Sequence, residues 1–490
     1  MKQDIVSEYK YNFKDDEVFK EKFEKGLNED IVSRISEIKH EQEWLRDFRL
    51  NALKIFLEKE MPRWGADLSK IDFNEIVYYL RPVDKPVGDW NELPDGIKKT
   101  WDRLGIPEAE RKFLSGVGAQ YESENVYHKI RKELAEKGVI FIDPDFGLNP
   151  TDDKIKELAA QLDLNFDKVK KDILKAHEKF KEYFSRIVPV ADNKFAALNS
   201  AVFSGGSFIY IPKDVKLDMN LPLQAYFRIN SSSMGQFERT LIIADENSEV
   251  SYVEGCSAPI YSVKSLHSAV VEVIAEKGSR VRYTTIQNWS GDVYNLVTKR
   301  ALAKESACVE WIDCNIGSAV TMKYPSVILQ GDNSKADLLS LAYAGKNQVQ
   351  DAGSKATHIG KNTSSRIISK SISKDGGKST FRGIIKIGEK AENAKVVSQC
   401  DALLLDDKSK SDTLPVLQIY RDDAEMNHEA STGKIDEDKL FYMMSRGLNE
   451  DESRGLIVLG FMSPIAKTLP LEYAVELNKL IDMEMTGSVG

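Results

Sequence analysis

Between Glu246 and Thr432 one short phrase recurs: a turn residue, a small residue, then residues that alternate in strand fashion. It reads Asn247-Ser248 before EVSYVEG, Gly278-Ser279 before RVRYTTIQ and Asn393-Ala394 before KVVSQCD. The anchors Ser248, Ser279, Ala307, Ser334, Ser364, Ala394 and Ala424 step by 31, 28, 27, 30, 30 and 30 positions, and only Ser364 is ambiguous, by one residue. A near-constant step of this size marks stacked units, each of which buries its apolar face only against its neighbours. The pattern predicts a β-solenoid. Counting from each anchor, the second and fourth positions are mostly apolar: Val250/Tyr252, Val281/Tyr283, Val309/Trp311, Ala336/Leu338 and Arg366/Ile368. Even offsets share one face of a strand, so this column is expected to point inward.

In the last two coils the column changes character. The fourth positions become Ser398 and His428, and the sixth position of the penultimate coil is Cys400. Strand spacing combined with two residues of rise sets Cys400 and His428 roughly 8 Å apart along one face, within reach of a shared ion. Glu429 faces the other way unless a bulge or chain end intervenes. A Cys/His/Glu set has suitable donor chemistry but no diagnostic spacing, and a lone strand cysteine is ordinarily a small buried hydrophobe. Cys256, between Gly255 and Ser257 and just before Pro259, is expected at a strand end, where nearby cations would promote its thiolate. Its ordinary alternative is a buried, inert thiol. Cys308 and Cys314 fall at odd offsets, on the face away from Cys400, and read as structural. Arg228 and Lys299 read, on residue type alone, as surface cations. Buried instead, either would favour the charged form of an anion beside it.

The chain has 490 residues, with 42% hydrophobic and 30% charged, an ordinary composition for a soluble protein of two or three domains. A net charge of −9, from 68 basic and 77 acidic residues, argues against nucleic-acid binding. No apolar run approaches the ~20 residues of a membrane span, and the start lacks a secretory apolar core. Four cysteines make no disulfide framework, so a reducing cytoplasm is expected. Residues 1–186 read as helical and irregular, with helices expected in VFKEKFEKGL, in the stretch from Glu29 to Glu60, and at 124–137 and 151–184. The four tryptophans there, Trp44, Trp64, Trp90 and Trp101, read as core or loop anchors. The first coil is expected from Asn199 to Tyr226, within a β-helix domain spanning 187–434. A helical domain follows at 435–490, with a capping-box start at Asn449/Glu452. Its apolar sets around Tyr442 and Leu456–Met462 are expected to pack on each other or cap the solenoid. SISKDGGKST is no phosphate loop: Ile372 stands where the first glycine is needed, and strand follows. Gly376-Gly377 instead reads as a turn between coils. His267 and His358 read as structural. A carbohydrate-active β-helix would need paired catalytic groups along a groove, and none is evident.

SQCD at 398–401, EMNHEASTGKI at 425–435 and FYMMSRGL at 441–448 resemble the SufB scaffolds of the SUF iron–sulfur cluster assembly system (SufB/SufD family). GQFERTLI at 235–242, YVEGCSAP at 252–259, QNWS at 287–290 and YNLVTKRAL at 294–302 fit the same family, in the same order. The resemblance implies an α+β fold, a central right-handed parallel β-helix flanked by N-terminal and C-terminal helical domains. It implies a non-catalytic scaffold that receives sulfur at Cys256 and passes it along Arg228, Asn230, Gln287, Trp289 and Lys299. A labile cluster, expected as a transient [4Fe-4S], would then be held by Cys400, His428 and Glu429. The partners it implies are a SufC-type ABC ATPase docked on the C-terminal helices, a SufD-type paralogue or second copy, a cysteine desulfurase or sulfur-transfer protein, and apo iron–sulfur acceptors. Reduced flavin (FADH2) is a further cofactor expectation. The alternative is a structural SufD-type paralogue that assembles no cluster itself. Two departures stand out: no cysteine precedes Cys256, and Asn427 stands where an acidic residue can precede the His-Glu pair.

Overall fold

The computed structural model describes residues 19–84, 86–104, 114–231, 233–257, 265–469 and 471–486. The opening segment, including Val18 of VFKEKFEKGL, and Ala258-Pro259 of YVEGCSAP lie outside the described residues. The repeat builds a β-solenoid of about eight turns, in which each coil contributes one strand to each of two largely parallel sheets. In the first sheet the strands Glu249–Ser257, Arg280–Trp289, Cys308–Gly317, Lys335–Ala344, Ser364–Ser373, Lys395–Leu404 and Glu425–Lys434 pair in sequence, without a slip.

The anchors owe their small size to the turns. The residues just before them, Asn247, Gly278, Ser306, Asn333, Asn362 and Asn393, have φ between 53° and 69°, the left-handed region that Gly and Asn tolerate best. The hydroxyls of Ser248, Ser279 and Ser334 then donate to the carbonyl three residues earlier, at 2.7, 2.8 and 2.7 Å. Thr363 makes the same bond to Gly360. Register agrees, since Lys335 pairs with Ser364. The fifth anchor is therefore Thr363, not Ser364. Ser365 and Ile367 point inward, and Arg366 lies exposed, paired with Asp337 at 2.8 Å.

The inward column packs as expected into one core with Val250, Tyr252, Val281, Tyr283, Val309, Trp311 and Leu338. The rings of Tyr252, Tyr283 and Trp311 pack tilted against one another at 4.9 and 5.0 Å between centroids, one strand spacing per coil. Such pairs add about 0.5–1.5 kcal/mol each beyond their buried area.

The N-terminal region departs from its periodicity. From Phe19 on, VFKEKFEKGL is not helical; Glu21–Lys22 pairs antiparallel with Leu80–Arg81. The stretch from Glu29 to Glu60 is two helices, Glu29–Ile38 and Glu43–Glu58, broken where His40 takes φ 51°. Asn28 caps the first, its side chain accepting the Ile31 N–H. At 124–137 the chain forms the strand Glu124–Ile130 and only the short helix Lys132–Glu136. Apolar residues at Val126 and Ile130 fit a helix spacing as well as a strand, and sheet pairing with Gly116–Tyr121 decides the outcome. The segment 151–184 holds the helices Asp152–Leu162 and Phe166–Tyr183. The first coil starts later than Asn199, which lies in the helix Lys194–Val202; its strands are Phe208–Ile211 and Leu223–Arg228. The boundary expected at 186/187 is crossed, because Gly116–Tyr121, Glu124–Ile130 and Ile140–Ile142 all join the two sheets.

After Lys434 come the helices Glu437–Ser445, Glu450–Ala466 and Leu471–Thr486, the second opened by the Asn449/Glu452 capping box. They lie against the outer face of the first sheet, where Val458, Met462 and Leu477 pack on Ile286, Ile312, Cys314 and Leu341. They do not cap the solenoid end. Phe441, Tyr442, Met444 and Leu456 remain exposed, so only part of the apolar set is buried. Lys374 to Gly377 form a turn leading into the strand Lys378–Ile387, in keeping with the rejected phosphate loop. No helix among the described residues is long and apolar enough to cross a membrane.

Candidate functional site: a buried polar row

The sixth position of each coil carries the site. Glu254, Thr285, Asp313, Ser340, Ser369 and Cys400 pair rung by rung along the first sheet, and all are buried. Two residues on, the eighth positions run Cys256, Gln287, Asn315, Ala342, Ser371 and Ala402 on the same face. On the second sheet a matching row runs Gln236, His267, Asn295, Thr321, Gln350, Ser379 and Ser411. An apolar solenoid core would need none of these groups, and each must be hydrogen-bonded to offset its desolvation.

Near Cys256 they are bonded to one another. The thiol lies 3.7 Å from Glu254 Oε1, and Tyr283 donates its hydroxyl to the other Glu254 oxygen. Asn295 Nδ2 donates to Gln287 Oε1 at 2.7 Å, and Lys323 Nζ to the same oxygen at 3.1 Å. Asp313 sits between two ammonium groups, Lys323 at 2.8 Å and Lys299 at 3.2 Å, while Lys299 also bonds Thr285. Burial alone would raise the Asp313 carboxyl, but the two lysines hold it at about 2. Burial lowers Lys323, only partly countered by Asp313. His267 bridges Glu238 at 2.7 Å and Asn295 at 2.8 Å, and its ring lies against Trp289. Burial opposes its protonation, yet the Glu238 carboxylate raises it.

The expectation for Cys256 needs correcting. It does lie near a strand end, and it pairs with Gln287 as the register count required. Its thiol is not activated, however. Burial pushes it well up, Glu254 and Glu238 push further, and Lys299 and Lys323 oppose them incompletely. A recess of only about 10 Å³ adjoins it, bordered by Tyr226, Asn288 and Tyr473. Arg228 and Lys299 are fully buried rather than superficial. Arg228 pairs with Ser257, the alternate side of the ladder from Cys256, and donates to its hydroxyl at 3.1 Å. Asn230 is buried beside Glu122, which accepts its backbone N–H. Gln287, Trp289 and Lys299 thus line the interior with Cys256, whereas Arg228 and Asn230 flank it.

At the other end of the row, Ser398 pairs with His428 and Cys400 with Ala430, so Cys400 and His428 are diagonal neighbours on one face. Cys400 Sγ lies 3.7 Å from Thr413 Oγ1, and burial raises its pKa while that bond lowers it. His428 Nδ1 is buried without a hydrogen-bond partner among the described residues. Glu429 pairs with Gln399 on the opposite, exposed face, and no bulge returns it. The three residues therefore do not gather on one face. Among the described residues no group of three His, Cys, Asp or Glu side chains is placed to hold a metal ion. Cys314, pushed to about 12, and Cys308, pushed to about 11, are inert by burial, as their odd offsets suggested.

Sequence reasoning missed Glu238, Glu254, Asn295, Asp313 and Lys323, and took His267 for a structural residue. The signal was present: extending the coil count from the fourth to the sixth position lines up Glu254, Thr285 and Asp313 beneath Cys400. His358 is structural, bonded to Thr363 and Ser365 at 2.9 Å each.

Residues 227–461 match the SufBD core domain of SUF system FeS cluster assembly. The chain is 55% identical over 485 residues to an iron–sulfur cluster assembly SufBD family protein of Staphylococcus epidermidis, covering 99% of this chain and 98% of that one. SufBD family proteins of Staphylococcus haemolyticus, at 55%, and Staphylococcus aureus, at 54%, match over the same span. A buried polar row inside a β-solenoid, ending at a thiol and an imidazole, is accordingly the interior of an assembly protein, and the chain belongs to the SufBD family of iron–sulfur cluster assembly proteins.

Proposed function

We propose that the chain is the SufB-type scaffold, on which sulfur accepted at Cys256 is carried to Cys400 and joined to iron. The observation that carries this reading is the unbroken row of buried polar side chains from Glu254, beside Cys256, to Cys400. Lys299 and Lys323 would hold an anionic sulfur species in the low-dielectric interior, where a cation is worth most. At the far end Cys400 and His428 supply a soft and a borderline donor, suited to iron as cargo. Two ligands on one face leave the cluster incompletely held, so the remaining donors come from Glu429 after rearrangement or from a paired SufD-type chain or second copy. Loose holding suits a cluster that must be handed to apo acceptors. The exposed Phe441, Tyr442 and Met444 are assigned to docking the SufC-type ATPase, since this chain has no phosphate loop of its own. Sulfur arrives from a cysteine desulfurase or its transfer protein. Reduced flavin (FADH2) and a transient [4Fe-4S] cluster belong to the same proposal.

Anaerobic reconstitution with ferrous iron and a sulfide source, read by visible absorption and Mössbauer spectra, tests the reading with the ATPase and paralogue present. Cluster loading that falls in Cys400→Ser and Glu429→Ala, with transfer to an apo acceptor by the wild type, is the expected result. Equal loading in every variant would move the site elsewhere. The placement of Glu429 and Asn427 on the outer face favours the SufD-type alternative, and an absence of cluster with every partner combination would establish it.

A further inference from the structure

A second cavity, of about 420 Å³, lies outside the solenoid, between the end of the helix Glu43–Glu58, the following loop and the outer face of the second sheet. Its size is that of small-molecule sites in general. Trp64 forms part of its wall and is 52% exposed, so it is no core residue, though it anchors its loop against Tyr324. The loop that carries it is fixed: Gly65 has φ 88°, and a Cβ there would meet Met322 Cε at 2.6 Å. Beside Trp64 stands Tyr324, 5.6 Å between centroids, with Lys355 Nζ 5.5 Å from the Tyr324 ring centre.

The charges on the wall are unbalanced. Its two carboxylates are already taken, Glu60 by Arg63 and Asp192 by Arg300, each at 2.8 Å. The Lys194 ammonium is satisfied by the carbonyls of Phe56 and Lys59, at 2.6 and 2.5 Å. Lys59 and Lys355 also line the cavity, and neither makes an ion pair among the described residues. Lys355 is half-buried, and its pKa is lowered by burial and then by Arg300, with Asp192 only partly opposing. A half-buried ammonium whose nearest carboxylate, Asp192, is already paired with Arg300 favours an added anion. The half-exposed Trp64 ring, which already packs against Tyr324 and lies 5.6 Å from the Arg382 guanidinium, supplies apolar surface beside it.

We propose that this cavity binds a small organic anion with a planar ring, its anionic group held by Lys355 and Lys59 and its ring against Trp64. Nothing in this inference depends on the cluster-assembly reading. The shared chemistry is a ring plus an anion, and the anion can be a phosphate or a carboxylate. Titration of the full chain, followed by calorimetry and tryptophan fluorescence, uses adenosine monophosphate for the first and 1-naphthoate for the second. At least one is expected to bind with a dissociation constant at or below about 1 mM. Adenosine and inorganic phosphate, each carrying one half of the chemistry, are expected to bind at least about tenfold more weakly than the monophosphate. Lys355→Gln, which keeps the aliphatic stem, and Trp64→Ala, on an exposed loop, are each expected to weaken binding about tenfold with unchanged thermal unfolding. No binding of either probe, binding equal to that of inorganic phosphate, or affinity unchanged in both variants would overturn the proposal.

Discussion

The two ends of the solenoid are finished in opposite ways. At the N-terminal end, Gly116–Tyr121 and Glu124–Ile130 extend the first sheet, while Ile140–Ile142 closes the second antiparallel to Phe208–Ile211. Helices then cover the apolar exterior, and Phe208, Ile209, Tyr210 and Ile211 are all buried. At the C-terminal end the last strands, Lys410–Ile419 and Glu425–Lys434, leave nearly every residue exposed or half-buried. Val416, Leu417, Ile419 and Tyr420 are among the exposed apolar side chains. An uncovered, regular edge strand is a template for further pairing, and proteins ordinarily blunt it. The chain invests a hairpin and several helices in sealing the end nearer Cys256 and leaves open the end that carries Cys400 and His428. The comparison teaches that the chain seals one end of its solenoid itself and leaves the edge strands at the other end uncovered.

The largest expected effect separates the two ends directly. Ile209→Ala should destabilise by about 2–5 kcal/mol, whereas Val416→Ala should stay within about 0.5 kcal/mol, both read by chemical unfolding of the isolated chain. A large loss at Val416 would break the comparison, because it would mean that the edge is covered in solution. Next, Leu417→Glu should weaken association with the paralogue or a second copy at least about tenfold, since a buried unpaired charge at an interface costs several kcal/mol. Light scattering with unchanged unfolding of the lone chain checks it.

A smaller effect concerns the polar row between the ends. Lys323→Met leaves Asp313 with Lys299 alone and Gln287 without one donor, and should cost about 1–3 kcal/mol at neutral pH. The Asp313 carboxyl sits at about 2 in the fold against an ordinary 3.8. A carboxyl depressed in this way contributes stability that is full above its unfolded value and is lost as the pH falls through its folded value. The wild-type contribution therefore fades between about 3.8 and about 2, and the variant should lose it at higher pH; acid unfolding followed by circular dichroism measures the displacement. The smallest effect is at the sealed end. Tyr473→Ala should open the recess beside Cys256 and speed its alkylation about tenfold, with Cys400 unchanged, as read by mass spectrometry of labelled peptides.

The repeat made the solenoid legible from local signals: left-handed asparagines, hydroxyl anchors and an even-offset apolar column all agree with the final register. The fifth anchor slipped by one because Thr363 and Ser364 are both small and hydroxylated, and only the pairing partner Lys335 tells them apart. The N-terminal segment was misread where strand formation is imposed from outside. Glu124–Ile130 is a strand because Gly116–Tyr121, itself paired with the first coil, lies beside it, and no local pattern records that. Cys256 with Gln287, and Cys400 with His428, followed from counting. The failure of Glu429 to join them was also countable, as an odd offset. The raised pKa of Cys256 was not, since it depends on carboxylates from two different segments, Glu254 on its own strand and Glu238 just before the strand Arg239–Ala244.

The stacking also acts as a ruler. Cys256 and Ala402, two residues from Cys400, are five rungs apart in the same column, about 24 Å at the usual strand spacing. Each rung is a whole coil, so the separation of the two thiols is quantised. Point substitutions leave it unchanged, and a loop insertion at a turn lengthens the chain without lengthening the column. Only gain or loss of an entire coil alters it, by roughly 4.8 Å at a time. A distance protected in this manner drifts in discrete jumps or not at all.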